Sequence, residues 1–185
     1  MNEQKLINDI FELCSSKVNE RFSLFSQIKD CETEEILAEN ILGNIDYRSE
    51  VLLYGVSVTI RLQFFYNCES LGEALTHLYE NAQKERIVDF FNEVGNLTGG
   101  KVKEVLLGQG IVTALSLPMC VATNKSKTIV VEEVLPNFKY FQIRHRNNNI
   151  FSSKISIEIH DVNKFSNFDI AYSKSDFQDG DVDFF

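Results

Sequence analysis

Asp89-Phe90-Phe91-Asn92-Glu93-Val94-Gly95-Asn96-Leu97-Thr98-Gly99-Gly100 is the stretch where residue type and spacing could do chemistry. On a helix, Arg86, Asp89, Glu93, Asn96 and Gly100 fall three, four, three and four apart and form one stripe. Glu93 and Asn96, at i and i+3, are side-chain neighbours there, a carboxylate beside an amide. An apolar stripe through Ile87, Phe91, Val94 and Val105 occupies another side of the cylinder. Gly95, Gly99 and Gly100 each cost about 1 kcal/mol against Ala in a helix interior. That cost makes sense if another backbone or a docked partner approaches closely, or if the helix breaks there. From spacing alone, a charged and polar stripe is also what the solvated face of an amphipathic helix looks like.

The elements that must position this stripe read out of the hydrophobic period. Leu6, Ile10, Leu13, Cys14, Val18, Phe22 and Phe25 recur at mostly three or four and predict a helix over about the first 25 residues. Residues 30–50 hold seven acids and one Arg, and fit a helix or a strand equally. Val56, Val58, Ile60, Leu62 and Phe64 alternate with polar residues and predict a half-buried strand, in a hairpin with 50–54 through Tyr54-Gly55. Ser70-Leu71-Gly72-Glu73 matches a capping box and predicts a short helix over 71–81. The motif helix follows at about 84–107, with Ile87, Phe91, Val94, Val102 and Val105 as its core side. Strand patterns return over 111–119, 127–134, 138–146 and 150–160, and 161–185 reads as an acidic tail with isolated aromatics.

Other chemistry finds little support. Cys14, Cys31, Cys68, Cys120, His77, His145 and His160 show no paired zinc-ligand spacing. Cys14 and Cys120 read as small core residues, and Arg144-His145-Arg146 as a solvated strand edge. The chain carries 18 Lys+Arg and 27 Asp+Glu, a net charge of −9, which argues against nucleic acid as main partner. That charge sits in 30–50 and 161–185, since 51–160 nets +1. The opening Met1-Asn2-Glu3-Gln4 has no basic and apolar leader, and the apolar stretch 51–66 is too short and polar for a bilayer. A cytoplasmic location without membrane insertion is the expectation.

The pattern D-x-x-x-E-x-x-N-x-x-x-G, carried by Asp89, Glu93, Asn96 and Gly100, resembles the signature of the CheC/CheX/FliY chemotaxis phosphatases. The Lys101-Val102-Lys103 run and a following strand ending Leu115-Ser116-Leu117-Pro118 agree with it, over roughly residues 48–160. One copy is present, similar to the CheX branch. The resemblance implies a single α+β domain over 1–160, an antiparallel sheet of about six strands with long helices on one face, and a homodimer. It implies hydrolysis of the phosphoaspartate on a CheY-like receiver domain, with Asn96 orienting the attacking water and Glu93 pairing with the receiver's lysine. Arg86, Asp89 and Gly100 would border the dock, Gly100 giving clearance. The protein would have no cofactor of its own, the Mg2+ being the receiver's. Two rivals stand beside this reading: a non-catalytic module that binds receivers or the flagellar switch, and a structural dimerisation domain.

Overall fold

A computed structural model describes residues 2–41, 45–75, 84–123, 135–146 and 148–171. The first helix, α1 (Glu3–Ser26), is capped by Asn2, whose side chain accepts from the Gln4 amide at 3.0 Å. Its expected apolar face is buried except at Phe25, which is 37% exposed and stacks on Phe90. Among its described residues, the segment the period left open contains an edge strand, β1 (Glu32–Ile36), a 3₁₀ turn at Ala38–Asn40 and the first residues of the next strand, from Tyr47.

The hairpin forms from β2 (Tyr47–Tyr54) and β3 (Val58–Tyr66), paired antiparallel with Val51 opposite Leu62. Val56, expected as the first inward residue of this strand, is instead 88% exposed. The strand begins two residues later, because Gly55 and Val58 close the turn with a backbone bond of 2.9 Å. At its other end β3 runs to Tyr66 and leads into α2 (Cys68–Ala74). Here the cap differs from expectation. Asn67 is the N-cap, its side chain accepting from the Ser70 amide at 2.9 Å, so Ser70 lies inside the helix. The rest of the expected 71–81 helix, with His77, lies outside the described residues.

After α3 (Lys84–Gly108) come β4 (Ala114–Leu115), β5 (Met119–Ala122), β6 (Asn137–His145) and β7 (Asn148–Ile159). The expected single strand over 111–119 is thus two short ones, and the expected 127–134 strand falls outside the described residues. The described strands make one antiparallel sheet of seven in the order β1-β6-β7-β3-β2-β4, with β5 also on β2.

One face of this sheet is apolar: Val51, Leu53, Val58, Ile60, Leu62, Phe64, Phe151, Ile155 and Ile157 are all buried. The helices lie on it. Phe22 of α1 and Phe91 of α3 both meet the Phe151 ring, at 4.8 and 5.0 Å between centroids. The other face carries Glu50, Arg61, Gln63 and Lys154. Ser152 and Ser156, which the alternation assigns to the wet side, are nearly inaccessible there. Both are short side chains flanked along β7 by Lys154, whose ammonium lies 4.9 Å from the Phe138 ring centroid on β6. Past β7 the chain does not leave the body at residue 161, as the tail expectation had it. A 3₁₀ turn (Val162–Phe165) puts Phe165 and Phe168 into the core, and the Asp169 amide donates to Gln109 Oε1 at 2.7 Å.

Candidate functional site

Helix α3 runs unbroken through Gly95, Gly99 and Gly100, so of the two readings of those glycines close approach is the right one for the first two. A Cβ on Gly95 would sit 3.3 Å from both Phe64 and Val51, and one on Gly99 would sit 2.5 Å from Leu115 Cδ1. The missing side chains let α3 settle low on β2, β3 and β4. A Cβ on Gly100 would meet nothing within 4 Å; this position opens outward.

The predicted stripe is brought together on the outer side of this helix. Arg86, Asp89 and Asn96 are exposed, and Glu93 and Gly100 are partly buried. Ile87, Phe91, Val94, Val102 and Val105 are buried on the inner side, as their period requires. The stripe faces outward, with Asn96 exposed beside the partly buried Glu93. Among the described residues no three His, Cys, Asp or Glu side chains gather as a metal-ligand set. All four cysteines are free thiols.

Two features beside the stripe carry no signal in the sequence period. The first starts at Asn92, the residue before Glu93. Asn92 Oδ1 accepts from Ser49 Oγ on β2 at 3.1 Å; Ser49 Oγ lies 3.0 Å from the Tyr66 hydroxyl, and that hydroxyl lies 3.5 Å from Cys120 Sγ. The Tyr66 ring also stacks on Phe91, with centroids 4.0 Å apart and planes 10° apart. Burial raises the Tyr66 phenol above its ordinary range. It therefore stays a neutral hydroxyl that can both donate and accept. At the start of α3, Lys84 Nζ lies 4.8 Å from the Tyr47 ring centroid, and its hydrogen bond with the Tyr47 hydroxyl raises its pKa.

The second feature is a β-bulge in the edge facing α3. Leu53 pairs with Leu115 and Glu50 with Met119, so Val51 and Leu52 oppose three residues, Ser116, Leu117 and Pro118. The Ser116 amide donates to Leu52 O at 2.8 Å, and Ser116 Oγ accepts from the Leu52 amide at 2.9 Å. The serine hydroxyl thus supplies an acceptor where the ladder is interrupted, and Pro118 has no amide hydrogen left to satisfy. Leu117 is left 84% exposed, two residues from the Leu115 side chain that meets Gly99.

No protein-family model and no curated protein sequence matches this chain. Solved structures do match it in fold. The chemotaxis protein CheX from Vibrio vulnificus superposes with a TM-score of 0.63 at 13% identity, over 80% of this chain and 99% of that one. A chemotactic CheC-like protein from Shewanella oneidensis gives 0.64 at 12% identity, over 81% and 98%. CheX in the CheX–CheY–BeF3–Mg2+ complex from Borrelia burgdorferi gives 0.62 at 15% identity, over 80% and 97%. The likeness, at these identities, is one of fold, and it extends over nearly the whole length of each neighbour.

Proposed function

We propose, from this fold shared with CheX- and CheC-like chemotaxis proteins, that the chain hydrolyses the phosphoaspartate of a CheY-like response-regulator receiver. The observation that carries the reading is the accessible Glu93–Asn96 pair on α3, in a fold whose Borrelia member is crystallised with CheY and BeF3, a stand-in for a phosphoryl group. An acyl phosphate hydrolyses through a loose, metaphosphate-like transition state that asks for positioning more than for a strong base. Asn96 supplies that positioning. Its amide oxygen accepts from the attacking water while its NH2 group donates, which sets the water in line with the scissile bond. Glu93 pairs with the receiver's active-site lysine and fixes the dock. Arg86 and Asp89 border the contact, and Gly100 leaves room for the partner's surface. The Mg2+ that neutralises phosphoryl charge belongs to the receiver. The proposal carries with it a cytoplasmic homodimer.

The test is phosphate release from a receiver charged with a small phosphodonor. Wild-type protein is expected to accelerate release, Asn96→Ala to lose about 10²-fold of that acceleration with binding retained, and Glu93→Ala to bind more weakly. Receiver binding without faster release would replace the phosphatase with a docking module. No binding to any receiver would leave a structural dimerisation domain.

A further inference from the structure

We infer that Asn92 is a positioning residue for Asn96, acting through a hydrogen-bonded chain that ties α3 to the sheet at Ser49, Tyr66 and Cys120. The inference rests on the phosphatase reading for its kinetic consequence, though not for its geometry.

The direction of the chain follows from counting protons. Ser49 has one hydroxyl hydrogen and gives it to Asn92 Oδ1, at 3.1 Å. The Tyr66 hydroxyl, 3.0 Å away, must then donate to Ser49 Oγ, and the Cys120 thiol is the donor left for the Tyr66 oxygen at 3.5 Å. Every link points toward α3, and the chain ends on the amide oxygen one residue before Glu93 and one helical turn before Asn96.

Such a link adds a directional constraint to a contact made by buried apolar side chains, Ile87, Phe91, Val94, Val102 and Val105. At Gly95 and Gly99 the helix offers only backbone to Val51, Phe64 and Leu115 of the sheet. Phe91 lies flat on Tyr66, 10° from parallel, and stands edge-on to Phe151 at 74°. Apolar packing is non-directional, whereas a hydrogen bond weakens steeply once its angle opens. Side-chain tips lie about 5–6 Å from a helix axis, so a rotation of about 20° sweeps Asn96 through about 2 Å. A displacement of about 1 Å is enough to cost a positioned water most of its advantage.

The experiment compares Asn92→Leu, Ser49→Ala and the rescue variant Asn92→Asp, which keeps the accepting oxygen. Turnover of the phosphorylated receiver at saturation is expected to fall about tenfold in the first two, with KM within about twofold, and to recover in Asn92→Asp. Thermal melts run alongside, and Ser49→Ala carries the test if Asn92→Leu does not fold. An activity-independent readout is the Asn96 side-chain amide pair in a 15N–1H correlation spectrum, assigned by its absence in Asn96→Asp. It should shift or broaden in Asn92→Leu and Ser49→Ala and return in Asn92→Asp. Wild-type kcat in both disrupting variants overturns the inference, as does an unmoved Asn96 signal. A wild-type protein that dephosphorylates no receiver would sink the phosphatase reading alone, and the spectra would still decide the positioning role.

Discussion

Gly100 is where stability and docking pull in opposite directions. A methyl group there would meet nothing within 4 Å, and the residue is helical, so Gly100→Ala should stabilise the fold by up to about 1 kcal/mol. For a chain of this size that is roughly 2–4 °C in Tm. The same methyl group would stand on the face where the receiver is proposed to settle. Gly100→Ala is therefore expected to melt higher and bind a beryllofluoride-charged receiver more weakly, by calorimetry of both processes. A higher Tm with unchanged affinity would remove Gly100 from the docking face and leave Glu93 and Asn96 untouched. The stripe itself is legible at this scale because i, i+3 and i, i+4 spacing is a local property of the chain. Asn92 is not, since its partner Ser49 lies 43 residues away.

The elements divide along the same line. Helices α1 and α3, the β2–β3 hairpin and strands β6 and β7 announce themselves through periods of 3.6 and 2, because each must bury one face against the same core. The start of α2 departs from the capping-box expectation for a local reason: Ser70-x-x-Glu73 satisfies the pattern, but Asn67 follows directly on the last residue of β3 and caps first. Asn67 Oδ1 holds the Ser70 amide and its Nδ2 donates to Asp46 at 3.1 Å. Asn67→Ala should accordingly cost about 1 kcal/mol or somewhat more in urea unfolding, and Ser70→Ala well under half of that. Equal losses would restore Ser70 as the cap. The split of 111–119 into two strands has a tertiary origin. The bulge at Ser116 exists only against Leu52, 64 residues earlier, and no pattern in the edge strand's own sequence encodes that register.

Across the whole molecule, weak acids in buried or half-buried positions make stability fall at alkaline pH. Burial raises the Cys14 thiol far above its ordinary value of 9.0, raises Cys68 to about 11, and raises the Tyr66 phenol above 10.0. These groups sit on α1, α2 and β3, and the folded state keeps all three protonated where the unfolded chain would ionise. Above about pH 9 the unfolded state thus binds fewer protons than the native one, and stability falls as pH rises. Below about pH 8 the same groups contribute no slope. The urea midpoint should decline between about pH 8.5 and 10.5, with a shallower decline in Cys14→Ala. A flat midpoint across that range would contradict the burial of these groups.

The sequence by itself determined which long segments are helix and which are strand, the apolar face of each, and the composition of the outward stripe on α3. All of these follow from short-range periodicity and from the single requirement that apolar area leave water. The tertiary structure alone decided how close α3 lies to the sheet and which atoms of the sheet it meets. The hydroxyl chain beneath Asn92, the Leu115 side chain against Gly99 and the bulge at Ser116 depend on pairs of atoms brought together from distant segments. Hydrogen bonds and close contacts act over a few ångströms of space whatever the separation along the chain, so their geometry exists only once the sheet has assembled.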